Sequence, residues 1–133
     1  MLKYRLVEKK NLSKDAEPGS KLFYPVLDSN GRVSFDDLCD EISEQGSLTS
    51  GDIKNCVDRL IHAAARHLKE GRSVDLGDFG SLCVFLRSGG AETKKLYDPE
   101  KLMRKPKVRY TPGKMLREVQ DHLKYQRAAS ASP

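Results

Sequence analysis

Between Arg87 and Arg109 the sequence places eight cationic side chains: Arg87, Lys94, Lys95, Lys101, Arg104, Lys105, Lys107 and Arg109. Only three anionic ones oppose them, Glu92, Asp98 and Glu100. The chemistry open to such a run is electrostatic, because ammonium and guanidinium groups neutralise phosphates and release their counterions. Lys105, Lys107 and Arg109 stand at alternate positions of a stretch with strand character. Alternate residues of a strand share a face, so a stripe of cations is expected there, doubled in a dimer. Val108 and Tyr110 then point the other way, toward a core. Lys114 falls in the first turn of a predicted helix, where free N–H groups favour an anion. It reads either as a phosphate ligand or as a solvated lysine on an exposed face.

Covalent and metal chemistry find less support. His62 and His67 lie five residues apart on a predicted helix and so face different directions. His122 stands alone beside Leu123. Cys39, Cys56 and Cys83 are an odd number without a Cys-x-x-Cys, and read as three reduced, buried small hydrophobes. No serine has a nucleophile-elbow context, and Gly89-Gly90 lacks the flanks of a phosphate loop. Neither a catalytic set, nor a metal site, nor a cofactor, nor a small-molecule substrate is expected.

The elements that must position the cations belong to a chain of 133 residues, 38% hydrophobic, 32% charged and without tryptophan. Such a chain has a thin core of its own, and pairing with a second copy is a common way to complete one. Net charge is +5, distributed as +3 over residues 1–32, −4 over 33–70 and +6 over 71–133. That pattern predicts a two-faced particle whose basic side meets a polyanion. No stretch approaches a membrane span, and Met1 to Arg5 begin no apolar signal, so a cytoplasmic location is expected.

Residues 1–33 read as a β extension. Tyr4 to Val7 and Lys21 to Leu27 have strand character, Pro25 marking an edge, with a loop from Asn11 to Ser20 and a turn at Asp28 to Gly31. Ser34 with Asp37 forms a capping-box pattern before Phe35, Leu38, Cys39 and Ile42. Thr49 with Asp52 repeats it before a longer helix to about Lys69, which Gly71 stops. Ser73 to Leu76 and Ser81 to Arg87 predict a β-hairpin across Gly77 to Gly80. Residues 88–106 lose periodicity, and Lys107 to Tyr110 regain strand character. Thr111-Pro112 reads as a helix start, with Met115, Leu116, Val119 and Leu123 as the apolar face of a helix ending near Tyr125. Ala128 to Pro133 reads as a frayed tail.

This order resembles the HU/IHF family of bacterial histone-like proteins. Gly71 to Leu82 is similar to the family's Gly-x-x-V-x-L-x-x-F-G-x-F segment. Tyr110-Thr111-Pro112-Gly113-Lys114-Met115-Leu116 is similar to its aromatic-x-x-Gly-Lys-x-L entry to the last helix. The two capped helices are the third match. The N-terminal extension with Arg109-Tyr110-Thr111-Pro112 resembles a subfamily of Bacteroidetes-type bacteria. The resemblance implies an α+β fold: a helical hairpin base, a small antiparallel β-saddle with an arm, and a short C-terminal helix. It implies a nucleoid protein with an architectural or compacting role on double-stranded DNA, working as a homodimer. It also implies an arm-tip proline that wedges between base pairs. No Arg-Asn-Pro is present, and Pro99, in Tyr97-Asp98-Pro99-Glu100, is the nearest candidate.

The expected organisation is thus a β extension at 1–33, an HU/IHF-like domain at 34–126 and a flexible tail at 127–133. The expected activity is histone-like DNA binding without sequence preference, through Arg87, Lys94, Lys95, Lys101, Arg104, Lys105, Lys107, Arg109 and Lys114, with Pro99 as the wedge. A protein-interaction module that has lost its DNA arm is the rival reading, and RNA in place of DNA is a third.

Overall fold

The computed structural model describes residues 1–128 apart from 12, 14 and 16. In chain order the elements are β1 (Leu2–Lys10), β2 (Lys21–Asp28), α1 (Phe35–Gln45), α2 (Ser50–Lys69), β3 (Val74–Asp75), β4 (Gly80–Ser88), α3 (Pro99–Leu102), β5 (Met103–Pro112), α4 (Lys114–Asp121) and β6 (Tyr125–Arg127). Single 3₁₀ turns stand at Gly77–Phe79 and Lys94–Leu96. The chain is mixed α+β and forms two compact units, Phe35–Gln120 and the two terminal segments Met1–Ser34 with Asp121–Pro133.

In the larger unit α1 and α2 form the expected helical hairpin. Thr49 caps α2 with both arms of the capping box: its hydroxyl accepts from the Asp52 N–H at 3.1 Å, and its own N–H donates to the Asp52 carboxylate at 3.2 Å. These bonds favour the ionised carboxylate and hold Asp52 below the usual aspartate range. At the other end the Arg72 N–H reaches the His67 carbonyl and the Gly71 N–H reaches that of Leu68, closing a Schellman turn. Lys54 on α2 pairs with Asp36 on α1 at 2.7 Å, an exposed bridge that raises the lysine's pKa.

The apolar faces of these helices exceed what they cover on each other. Among the described residues only Cys39, Ile53 and Ala64 are buried apolar side chains, while Phe35 is 50% exposed and Ile61 59%. Three buried cysteines are therefore not what the chain shows: Cys39 is buried, Cys83 half-buried and Cys56 exposed. Cys56 lies on the flank of the α2 apolar face, about 60° round the helix from the buried Ile53.

Strands β3, β4 and β5 form an antiparallel sheet in that order. Two close approaches lock it. Gly80 has φ +136°, and a Cβ there would overlap the Thr111 carbonyl oxygen; one on Gly113 would overlap the Asp78 carbonyl. With both side chains absent, the Tyr110 hydroxyl donates to the Phe79 carbonyl at 2.6 Å and the Gly113 N–H donates to it at 3.1 Å. The predicted helix start at Thr111-Pro112 is displaced by this packing. Both residues belong to β5, paired with Ser81 and Gly80, and α4 begins at Lys114.

The smaller unit is a three-stranded sheet in the order β2-β1-β6. β1 and β2 pair antiparallel from Lys3↔Asp28 to Lys10↔Lys21, with Pro25 on the edge strand as expected. Of the expected loop between them, residues 12, 14 and 16 lie outside the described residues. The last helix stops at Asp121, short of the predicted Tyr125, because Tyr125–Arg127 form β6, parallel to β1. The Tyr4 and Tyr125 rings meet edge-to-face at 6.2 Å. Arg127, expected in the tail, is paired with Tyr4; residues 129–133 of that tail lie outside the described residues.

Candidate nucleic-acid interface

The strongest grouping of cations is built by the β4–β5 ladder. Directly paired residues of an antiparallel sheet project on the same side. The register Cys83↔Arg109, Phe85↔Lys107 and Arg87↔Arg104 therefore puts Arg87, Arg104, Lys107 and Arg109 on one face. Simple alternation along β5 predicts Lys105 with Lys107 and Arg109. The register shift between Phe85 and Arg87 is the reason that it does not hold. Two steps on β4 answer three on β5, so one extra residue sits in β5 at Lys105-Pro106. The bulge moves Lys105 out of the alternation and brings Arg104 into line. Proline at 106 suits a position without a ladder hydrogen bond on an edge strand.

Local contacts fix two of these guanidinium groups. Arg109 lies over the Phe85 ring, 4.2 Å from its centroid. Such a cation–π contact holds the group against the ring without neutralising its charge. Arg87 donates through Nη2 to the Lys105 carbonyl at 3.3 Å, across the bulge. Its Nε is enclosed and has no hydrogen-bond partner among the described residues. Neither β4 nor β5 contains an acidic residue.

The remaining predicted cations lie elsewhere. Residues 89–102 do not prolong the two strands as a ribbon but fold into a short capped loop. The Gly89 N–H donates to the Leu102 carbonyl at 3.1 Å, and the Ser88 and Tyr97 hydroxyls bond at 2.6 Å. Lys94 and Lys95 form a 3₁₀ turn capped by the Thr93 side chain, and Lys101 lies in α3. Pro99 is the first residue of α3, with Asp98 as the N-cap whose carboxylate accepts from the Glu100 N–H at 3.0 Å. Lys114 opens α4 and shares a hollow of about 250 Å³ with Asp78, Met115 and Glu118, apart from the β4–β5 group. Sequence reasoning missed the alignment of Arg104 with Lys107, although Pro106 inside a run of strand-like cations signals a bulge.

The histidines are engaged locally. His62 Nδ1 lies 2.8 Å from the Asp58 carbonyl, and His67 Nδ1 lies 3.1 Å from Arg72 Nη1. Among the described residues no group of three or more His, Cys, Asp or Glu is placed to hold a metal, and no helix is long and apolar enough to cross a membrane.

The profile of the HU-HIG family, described as an HU domain fused to wHTH, Ig or glycine-rich motifs, matches residues 1–127. The fold is similar to the crystal structure of a candidate bacterial DNA binding protein from Bacteroides vulgatus, with a TM-score of 0.65 at 18% identity. That match covers 99% of this chain and 50% of the other, so this chain spans half the length of its structural neighbour. No curated protein matches the chain significantly.

Proposed function

The chain belongs to the HU-HIG family, and from that premise we propose that it binds duplex DNA without sequence preference, through the β4–β5 face of a dimer. The observation that carries the reading is the juxtaposition of Arg87, Arg104, Lys107 and Arg109 on one face of the β4–β5 ladder, whose two strands contain no acidic residue, Asp75 on β3 being the carboxylate that shares that side. Like charges set directly opposite across a ladder are unfavourable. They become favourable when a line of phosphates runs between them. Lys94, Lys95, Lys101, Lys105 and Lys114 act as flanking cations that add to the long-range field rather than to the docked surface.

The dimer follows from the uncovered apolar faces of α1 and α2. Phe35, Val57 and Ile61 line an open hollow of about 500 Å³ with Lys54 and Asp58. A second copy of the helical hairpin would bury these side chains and double the cationic face. Readout is of the phosphate backbone and of duplex shape, as no element among the described residues presents a base-reading set. Kinking by Pro99 is not needed, since that proline has a local task at the start of α3. The place of action is the bacterial nucleoid, and the role architectural.

A fluorescence-anisotropy titration on duplex DNA at several salt concentrations tests the proposal. Affinity should fall steeply and linearly in log–log form with salt. Absence of binding at low salt, or binding indifferent to salt, would overturn it. The folded-back loop 89–102 favours one other reading, a protein-interaction module of the same fold. Replacing Arg87, Arg104, Lys107 and Arg109 by Gln separates the two, since a protein module would keep its partner and show no nucleic-acid defect.

A further inference from the structure

We infer that the N-terminal sheet is a second phosphate-contacting surface, using Lys3, Arg5 and Lys9 on the central strand β1. This deepens the proposed DNA binding and rests on it. The register Lys3↔Asp28, Arg5↔Val26, Val7↔Tyr24 and Lys9↔Leu22, with Lys3↔Gln126 on the other side, puts these three cations on one face of the sheet. Leu2, Tyr4, Leu6, Pro25, Leu27 and Tyr125 lie on the opposite face, around an apolar hollow of about 540 Å³. That opposite face also carries Glu8, Lys10, Lys21 and Arg127, while Val7, Leu22, Tyr24 and Val26 share the face of Lys3, Arg5 and Lys9. Burial is favourable for the apolar side, where Tyr125 is 74% exposed and Leu27 57%.

Charge and spacing select the partner. Lys3, Arg5 and Lys9 are exposed, and no ion pair among the described residues engages any of them. Asp28, paired with Lys3, is the one acidic residue on that face. Alternate residues of a strand are roughly 6.8 Å apart, comparable to the separation of successive phosphates along the wound backbone of one DNA strand, which exceeds the axial rise of about 3.4 Å. A strand carrying cations at 3, 5 and 9 can therefore track a phosphate backbone for about six residues. Such a surface widens the footprint of each chain beyond its β4–β5 face, without base recognition.

The test uses the full chain. Lys3→Gln, Arg5→Gln and Lys9→Gln together should reduce the slope of log affinity against log salt by about 0.9 for each phosphate left without its cation, which is about 3 per chain. Lys10→Gln with Lys21→Gln removes two cations from the opposite face, where those residues pair with each other, and should leave the slope unchanged. Thermal melting reports whether each variant is folded. Should the triple variant melt early, Lys3→Gln and Lys9→Gln singly give the same readout one charge at a time. An unchanged slope in folded variants overturns the inference, and so does an equal fall in the Lys10/Lys21 control, which would mean general charge. If the unaltered chain fails to bind DNA, the proposed function fails. If it binds through Arg87, Arg104, Lys107 and Arg109 while the β1 variants change nothing, only the second surface does.

Discussion

Arg87 and Arg104 stand directly opposite each other across β4 and β5, two guanidinium groups paired where most sheets set opposite charges or apolar side chains. The β-bulge at Lys105-Pro106 creates this pairing, since without it the residue in register with Arg87 would be Lys105.

The pairing predicts effects of opposite sign on stability and binding. Arg104→Thr relieves the like-charge contact and adds a β-branched side chain suited to a strand. In low salt and without DNA the variant should gain a few tenths to about 1 kcal/mol, read as a higher melting temperature. Its affinity for duplex DNA should fall, with the salt slope smaller by about 1. A variant that loses both stability and affinity would show that Arg104 is structural.

Gly80 and Gly113 predict a failure of folding rather than of binding. A Cβ at either would overlap a backbone carbonyl across the β4–β5 junction, and Gly80 also has a positive φ. Gly80→Ala or Gly113→Ala should cost on the order of 3 kcal/mol, measured by denaturant titration. Phe79→Leu should cost less, because the carbonyl that receives Tyr110 and Gly113 belongs to the backbone of residue 79 and survives the change.

The contrast between these residues and the arm shows what was legible in the sequence. The α1 and α2 helices were, because Thr49, Asp52 and Gly71 are local signals and the apolar period is long. The β3–β4 hairpin and the β1–β2 pairing were legible from turn residues and alternation. The parallel pairing of Tyr125–Arg127 with β1 was not, because it joins the two ends of the chain and leaves no local mark. Nor was the bulge, whose extra residue is defined by the partner strand. The cations were identifiable as a group, but one misplaced residue of register decides which of them share a face.

The open apolar surface of α1 and α2 predicts a dimer. Sedimentation should give twice the chain mass at micromolar concentration. Ile61→Glu, at the rim of the hollow formed with Phe35 and Val57, should shift the protein to monomer. A charge in a helix–helix interface is costly unless paired. DNA affinity should drop with it, because the cationic face is then no longer doubled. A monomeric unaltered chain that binds DNA normally would refute this.

The capping box of α2 predicts a pH dependence whose sign is fixed by the direction of the Asp52 shift. Hydrogen bonds from Thr49 lower the carboxyl's pKa in the folded chain relative to the unfolded one. The unfolded chain therefore binds more protons in the acid range, and unfolding is favoured as pH falls. The contribution is fully present above the usual aspartate range and is lost as pH drops through the lowered, folded value. Thr49→Ala removes the cap, costing about 1 kcal/mol at neutral pH. It should also flatten the acid limb of the stability curve, because Asp52 then titrates closer to its unfolded value. Melting temperatures from neutral pH down to about pH 3 test this: the gap between the unaltered and Thr49→Ala proteins should narrow on acidification. A gap that stays constant or widens would mean that the Asp52 carboxylate contributes nothing to the cap.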